Sequence, residues 1–226
     1  MLTLLIANKN YSSWSLRAWL ALKGADIAFT ERLLPFESEA FDAAFAGLAA
    51  PRRVPLLLDG DAAVWDSLAI IEHVAERYPD RPVWPTERAA RIMARSICAE
   101  MHSGFHRMRR HLPMNLWRPP EPRACDAGVE ADIARVADIW REARTRFGAD
   151  GPFLFGRFSA ADAYYAPVAT RLLTYAVPLD PVSAAYVEAI HSWPDFVAWR
   201  TEALKEPWVA EHDEVDWPVV KREALA

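Results

Sequence analysis

The sequence predicts an α/β half followed by an all-helical half, and three observations support this division. Short apolar runs of strand length alternate with helical patterns in the first third of the chain. Three prolines then fall within the segment PDRPVWPT, where a helix cannot continue. Beyond that segment the apolar residues recur only at helical spacing. We therefore expect a first domain at residues 1–79, a linker at 80–86 and a helical domain at 87–226 that packs on the first.

The elements of the first half follow a β-α-β-α-β-β-α order. The apolar run LTLLIA ends at a polar loop, and Gly24 stands where a helix commonly ends. Asp59-Gly60 lies between the apolar runs PLLL and AAVW, which is typical of a β-hairpin. In chain order the predicted elements are a strand at 2–7, a helix from Trp14 to Gly24, a strand at 27–34, a helix at 39–46, the two hairpin strands, and a helix from an N-cap at Ser67 to Tyr78.

The second half shows only helical patterns. Ser159 and Asp162 have the spacing of a capping box at a helix start, and we assign them to stability. The proline-rich segment LPMNLWRPPEPRAC either borders a pocket or is a plain connector. The predicted helices span 87–111, 129–147, 160–175, 182–191 and 194–204, and Trp193, Trp199, Trp208 and Trp217 are expected to be buried against them.

The composition excludes several classes of protein. Lys and Arg total 26 against 31 Asp and Glu, a formal net charge of -5, which argues against nucleic acid or an anionic membrane as the main partner. We interpret Arg107, Arg109 and Arg110 as a solvated helix face. Cys98 and Cys125 have neither disulfide-framework nor metal-ligand spacing. No apolar run reaches the roughly 20 residues of a membrane span, and the first residues do not read as a secretory leader. We expect a cytoplasmic protein without a metal.

Three polar features of the first half are candidates for chemistry. Ser12 and Ser13 precede a helix, whose positive N-terminal field lowers the pKa of a nearby thiol. Val54-Pro55 precedes a strand, and Asp66-Ser67 begins another helix, where backbone N–H groups bind carboxylates. Each feature alone has an ordinary structural explanation as a helix cap or a turn. Together they would place a thiol-activating group, a backbone clamp and a carboxylate site at one edge of the sheet.

The order of these motifs resembles that of the cytosolic glutathione transferases. The segments that carry the resemblance are the serine loop, RRVPLLLDGD, WDSLAIIEHVAERYP and FLFGRFSAADAYYAPV, over residues 3–208. The segment AEMHSGF is most similar to the bacterial beta-type branch. The resemblance implies a thioredoxin-like domain packed on a helical bundle, glutathione as co-substrate, and a homodimer.

The resemblance also implies where glutathione binds. Val54 would bind the cysteinyl backbone through its own main chain, with a cis peptide bond at Pro55. Asp66 and Ser67 would hold the γ-glutamyl amino and carboxylate groups. Arg52 or Arg53 would reach the glycyl carboxylate, and Arg52 fits the family spacing slightly better. The implied glutathione-binding residues are Arg52, Arg53, Val54, Pro55, Asp66 and Ser67.

The residue that contacts the glutathione sulfur has several candidates. Ser12 falls where the beta-type branch carries a cysteine, so cysteine-dependent chemistry is not expected. A serine mechanism then resembles that of the theta, delta and zeta branches. Ser12 is the first candidate and Ser13 the second, and Tyr11 and Asn10 are alternatives because the loop length differs between branches.

The helical half is expected to hold the second substrate. His102 matches a histidine that lines the cleft in the beta-type branch, although a lone histidine on a helix is often structural. A basic residue that this branch carries after its second strand has no counterpart in LLPFESE. The expected wall of the second-substrate pocket is Met101, His102, Phe105, Met108 and Trp117, which would equally fit a helix core.

The leading functional hypothesis is conjugation of the glutathione thiolate to a small hydrophobic electrophile. An alternative keeps the fold but changes the reaction to glutathione-dependent isomerisation, as in zeta-type enzymes, or to peroxide reduction. A third possibility is a glutathione-binding protein without catalysis, which would serve as a scaffold.

Overall fold

The first half of the chain forms a four-stranded mixed sheet flanked by helices. A computed structural model describes residues 1–221, so the last five residues of the predicted helical domain lie outside the described residues. The sheet order is β2-β1-β3-β4, with β1 parallel to β2 and antiparallel to β3, and β3 antiparallel to β4. The elements of this half are β1 (Leu2–Ile6), α1 (Ser13–Gly24), β2 (Phe29–Leu33), α2 (Glu39–Phe45), β3 (Leu56–Asp59), β4 (Ala62–Val64) and α3 (Ser67–Arg77).

The second half is a bundle of helices, as the periodicity predicted. Short β-bridges within residues 153–157 precede its central helix. Within residues 1–221, no helix combines the length and the apolar character needed to cross a membrane. The helices are α4 (Arg88–Ser103), α5 (His106–His111), α6 (Ala127–Phe147), α7 (Ala160–Thr174), α8 (Pro181–Ser192) and α9 (Pro194–Lys205), followed by a 3-10 turn at Glu211–Asp213.

The prediction of one helix over 87–111 is wrong, because the structure divides this segment into α4 and α5. Gly104 donates its N–H to the carbonyl of Glu100 and ends α4. A Cβ at position 104 would lie 2.8 Å from that carbonyl oxygen, so the tight end requires glycine. Phe105 then takes a left-handed conformation with φ of 59°. The break redirects the chain and places α5 beside the N-terminal half.

Three smaller predictions also need correction. The N-cap of α3 is Asp66 rather than Ser67, because the Asp66 carboxylate accepts from the N–H of Leu68 and Ser67 is the first helical residue. The helix predicted over 129–147 begins at Ala127, since Asp126 caps it. Among the C-terminal tryptophans Trp199 is fully buried, but Trp208 is 40% exposed because it follows the last helix of the bundle.

The core is continuous across the two halves. One apolar cluster joins β1, α1 and α3 to the bundle, with α1 packed directly on α7. A smaller cluster on the other face of the sheet buries Leu5, Leu34, Phe41, Phe45 and Leu56 under α2. The apolar spacing of α1 explains this position, since Leu16, Leu20 and most of their neighbours are buried. The N-terminus of α1 is therefore held at the junction of the two halves.

Candidate functional site

A cleft of about 780 Å³ opens at the N-terminus of α1, between the sheet half and the helical half. Its size is within the usual range of small-molecule sites. Side chains from both halves of the chain line it. The lining residues are Tyr11, Ser12, Ser13, Trp14, Phe36, Glu37, Phe41, Asp42, Arg52, Arg53, Val54, His106, Arg109, Arg110, Arg171, His212 and Asp213.

The two serines at the start of α1 differ in their hydrogen bonds. Ser12 is the N-cap: its Oγ accepts weakly from the N–H of Ser15 at 3.4 Å and donates to Oγ of Ser15 at 2.7 Å. Ser15 in turn accepts from the N–H of Ala7 in the segment after β1. Ser13 is the first helical residue, and its hydroxyl bonds no side chain or backbone group among residues 1–221. The hydroxyl of Ser13 is therefore the one that a ligand in the cleft finds free.

Tyr11 and Asn10 are tied to the structure around them. The Tyr11 hydroxyl donates to a carboxylate oxygen of Glu214 at 2.6 Å, and burial together with this carboxylate raises the pKa of Tyr11. Asn10 is fully buried, and its Oδ1 accepts from the N–H groups of Leu116 and Trp117. Asn10 thus joins the proline-rich segment to the first loop, and Tyr11 joins that loop to the segment after the 3-10 turn, so both residues stabilise the structure around the cleft.

The backbone clamp predicted at Val54 has the expected form. The Val54-Pro55 peptide bond is cis. Val54 borders the cleft, and neither its N–H nor its C=O pairs with the backbone of any described residue. Pro55 is buried behind it at the start of β3. An extended ligand backbone can therefore add to the sheet at this position.

The two arginines before Val54 both line the cleft but differ in their partners. Arg52 forms an exposed ion pair with Asp42 of α2. Arg53 has no ion-pair partner among the described residues and is exposed at the cleft mouth. Since a paired guanidinium must give up its carboxylate before it binds another, Arg53 is the more available of the two.

Asp66 and Ser67 are not among the residues that line this cleft, and they belong to a polar network with the helical half. Nε2 of His102 is 3.1 Å from Oδ2 of Asp66, and Nδ1 of His102 is 3.2 Å from the hydroxyl of Tyr164. That hydroxyl lies 2.9 Å from Oγ of Ser67, which is fully buried. Trp14, which lines the cleft, also contacts this network, with its ring edge-on to His102 at 5.3 Å. The network connects the start of α3 to α4 and α7.

The structure does not place the residues expected to form the second-substrate pocket in the wall of this cleft. Met101 and Met108 are fully buried in the core, and Phe105 is 8% exposed, because these side chains belong to the apolar cluster that joins the two halves. Trp117 is also buried and donates its Nε1–H to the carbonyl of Ala203. His102 faces Trp14 rather than the cleft. None of the five residues expected there is among those that line the cleft.

Arginines form part of the cleft wall instead, and the interpretation of Arg109 as a solvated residue is wrong. Its guanidinium lies 4.4 Å from the centre of the Trp14 ring, and that of Arg17 lies 4.3 Å from it. Burial lowers the pKa of both arginines. Arg171 of α7 lines the same wall and is 5% exposed. No local pattern marks these three positions, because they come from three separate helices.

The helical core beside the cleft is held by Asp162, as the capping-box spacing predicted. Its carboxylate accepts from the N–H groups of Ser159 and Leu154 and from the hydroxyls of Ser159 and Tyr186. Burial raises the pKa of Asp162 to about 6.

In the described part of the chain, no group of His, Cys, Asp and Glu is arranged to hold a metal ion.

A thioredoxin-like domain joined to a helical bundle, with a cleft at the start of the first helix, defines a two-domain glutathione transferase fold. The chain matches the glutathione S-transferase N-terminal domain over residues 11–77 and the glutathione S-transferase C-terminal domain over residues 126–202. The two segments together cover more than half of the chain. The chain therefore belongs to the glutathione S-transferase family.

Similar proteins agree with this assignment. The chain is 37% identical over 98 residues to glutathione S-transferase Z1 of Arabidopsis thaliana, over 39% of this chain and 44% of the relative. It is 32% identical over 93 residues to a probable maleylacetoacetate isomerase of Caenorhabditis elegans, over 41% of this chain and 42% of the relative. The chain thus spans less than half the length of these curated relatives.

Solved structures share the whole fold. A glutathione transferase homologue from Burkholderia with bound glutathione superposes with a TM-score of 0.66 at 21% identity, covering 89% of this chain and 97% of that one. A glutathione S-transferase from Rhodospirillum rubrum gives a TM-score of 0.64 at 19% identity, covering 98% and 96% of the two chains. At these identities the likeness concerns the fold alone.

Proposed function

We propose that this protein is a glutathione-dependent enzyme that binds the tripeptide in the cleft at α1 and activates its sulfur as a thiolate. The observation that carries the proposal is the free hydroxyl of Ser13 at the N-terminus of α1, opposite the unpaired backbone of Val54. A hydroxyl donor and the positive end of a helix both favour a thiolate over a thiol. Family membership and the named relatives support glutathione as the co-substrate.

Binding of glutathione would use three groups of residues. The cysteinyl backbone would pair with Val54 beside the cis Pro55, and the glycyl carboxylate would reach Arg53, or Arg52 after it leaves Asp42. The γ-glutamyl end would extend toward Asp66 and the start of α3, where helix N–H groups favour a carboxylate. Because Ser67 is buried against Tyr164, its backbone N–H rather than its hydroxyl would make that contact.

The sulfur would lie beside the two serines. Ser12 already caps the helix and donates to Ser15, so its hydroxyl would have to leave that bond to reach a ligand. Ser13 needs no such exchange. This difference favours Ser13 as the donor to sulfur and Ser12 as the cap, which reverses the order expected from the sequence.

The reaction proposed first is conjugation. The thiol proton leaves to solvent, the thiolate attacks an electrophilic carbon, a carbon–sulfur bond forms, and the leaving group departs with the electron pair of its bond. The thiolate is regenerated from the next glutathione. This reaction needs no metal and no further redox partner.

Isomerisation is the second candidate, and the similarity to zeta-class transferases and to a named isomerase favours it. The thiolate would add to a conjugated double bond, permit rotation about the resulting single bond, and leave again. Membership of a branch is part of this proposal, since AEMHSGF favours the beta-type branch and the named relatives favour zeta. A homodimer and a cytoplasmic location are carried over from the family on the same basis.

Calorimetry and product assays test the proposal. Glutathione should bind, and the bound thiol should show thiolate absorbance at neutral pH that an analogue with a methyl group in place of the thiol lacks. An aryl halide and a cis-dienoate then separate conjugation from isomerisation. Lack of glutathione binding would refute the enzyme. Binding without turnover of either substrate or of an organic peroxide would instead identify a glutathione-binding scaffold.

A further inference from the structure

The helical side of the cleft carries a cluster of guanidinium groups that the proposed handling of glutathione does not use. The cluster consists of Arg17 on α1, Arg109 on α5 and Arg171 on α7. Arg17 and Arg109 meet at the ring of Trp14. Nη1 of Arg171 donates to the carbonyls of Arg109 and Leu112. Arg109 and Arg171 line the cleft, and Arg17 is fully buried behind them.

These arginines have no carboxylate partner. In the described part of the chain, none of the three is within 4.0 Å of a carboxylate oxygen. The Nε of Arg171 and both Nη atoms of Arg17 are buried and without a hydrogen bond among the described residues. Guanidinium groups remain charged at neutral pH, and burying a charge without a partner is costly. The cluster is therefore suited to accept an anion.

The two walls of the cleft differ in charge. On the sheet side, Arg52 and Arg53 are balanced by Glu37 and Asp42. The cleft-lining residues of the helical side include Arg109, Arg110, Arg171, His106 and His212, with Asp213 as the single acid. Asp213 faces Arg171 without forming an ion pair. The excess positive charge thus lies on the wall opposite the proposed glutathione clamp.

We propose that the second substrate is a small electrophile bearing a carboxylate, which Arg109 and Arg171 bind while its apolar part lies against Trp14 and Phe36. This inference rests on the proposed function, because it names the partner of the glutathione thiolate in the same cleft. Arg171 lines the cleft and its buried Nε has no hydrogen bond among the described residues, whereas Arg109 is held by its ring contact and by bonds of 3.4 Å to two carbonyls. Both can turn a donor toward a carboxylate without breaking an existing ion pair.

A pair of matched ligands tests the charge requirement. The two ligands are 4-chloro-3-nitrobenzoate and 4-chloro-3-nitrobenzamide, which differ in charge but have nearly the same size. Calorimetry measures their binding to the full-length protein in the presence of the methyl analogue of glutathione, so that no turnover is needed. Kinetics with glutathione then measure kcat/KM for each, as the thiolate replaces the chloride.

The carboxylate should bind at least about tenfold more tightly than the amide, as expected for a charge-assisted hydrogen bond. Arg109→Gln should remove that preference and leave amide binding within about twofold, while Arg109→Lys should restore part of it. Arg107→Gln is the matched control, because Arg107 is exposed on the same helix and does not line the cleft. A variant that removed the charge of Arg171 would also leave the carbonyls of Arg109 and Leu112 without their donor. The second variant is therefore Arg171→Lys, which keeps the charge.

Equal affinities for the two ligands would overturn the inference, as would a carboxylate preference that Arg109→Gln leaves unchanged. A tenfold weakening of glutathione itself in Arg109→Gln would show that the arginines serve the tripeptide, and would also overturn it. A lack of glutathione binding to the unmodified protein would refute the proposed function itself, and this result is distinct from the outcomes above.

Discussion

Replacing the two serines of the α1 N-terminus by alanine should separate stability from thiol activation. In Ser12→Ala, the helix loses its cap to the N–H of Ser15, and a buried hydroxyl pair at 2.7 Å is lost. Loss of a serine cap costs about 1 kcal/mol, and a buried hydrogen bond contributes about 1 kcal/mol. Ser15 still accepts from the N–H of Ala7. The free energy of unfolding should therefore fall by about 2 kcal/mol.

Ser13→Ala should leave the stability of the protein almost unchanged but raise the pKa of the bound glutathione thiol. Its hydroxyl bonds no described residue, so the free energy of unfolding should change by less than about 0.5 kcal/mol. If the hydroxyl donates to the glutathione thiolate, its loss removes a hydrogen bond to a charged group that contributes roughly 1.5–3 kcal/mol. One pKa unit corresponds to about 1.4 kcal/mol. The pKa of the bound thiol should therefore rise by about one to two units, and turnover at neutral pH should fall and recover at higher pH.

Two measurements decide between these roles. Urea unfolding gives the change in stability for each variant, and a titration of thiolate absorbance with bound glutathione gives the thiol pKa. Ser96→Ala, on the exposed side of α4, is a control for the loss of a serine hydroxyl. A larger rise in thiol pKa in Ser12→Ala than in Ser13→Ala would refute the assignment of the donor. An unchanged thiol pKa in both variants would leave only the helix field as the activating group.

Three further predictions concern the walls around the cleft. Asn10→Ala should lower the free energy of unfolding by about 1–3 kcal/mol, because the buried N–H of Leu116 loses its acceptor, whereas the N–H of Trp117 keeps its bond to Oδ1 of Asn115. Urea unfolding measures this change, and a loss below about 1 kcal/mol would contradict it. Arg53→Gln should weaken glutathione binding in calorimetry more than Arg52→Gln does, since Arg52 is already paired with Asp42, and equal losses would argue against this ranking. The pKa of Asp162 is raised from 3.8 to about 6, so the folded state holds a proton that the unfolded state releases at lower pH. The stabilisation of the neutral form is present below about pH 4 and lost as the pH rises through about 6, a change of about 3 kcal/mol. Unfolding measured across this range should therefore show a pH slope that Asp162→Asn removes, and an identical slope in the variant would contradict the shift.

The element order of the fold was predictable because strands, helices and their caps are encoded over a few residues. The Asp59-Gly60 turn, the apolar run of β1 and the capping pair Ser159 and Asp162 all depend on near neighbours. The break in the fourth helix was not predicted. Its signal was Gly104, but a single glycine within a helical pattern is usually tolerated, and only the chain direction after residue 105 shows that the helix ends there.

The candidate site was predictable on the sheet side and largely not on the helical side. Ser12, Ser13 and Val54 were found because each stands at the end of a predicted element, and element ends of this half meet at one edge of the sheet. The residues of the expected apolar wall do not line this cleft, because Met101 and Phe105 are buried in the core. The spacing of apolar residues on a helix shows that one face is covered, but it does not show whether protein or ligand covers it.

The sequence alone determined the α/β half and the helical half, and the polar residues that the first half brings to the start of α1. The tertiary structure decided which hydroxyl is free and which cations face the cleft. Ser12 is engaged by a neighbour and Ser13 is not, a difference that rests on side-chain geometry rather than residue type. The cluster of Arg17, Arg109 and Arg171 joins positions more than 60 residues apart, which only the packing of α1, α5 and α7 brings together.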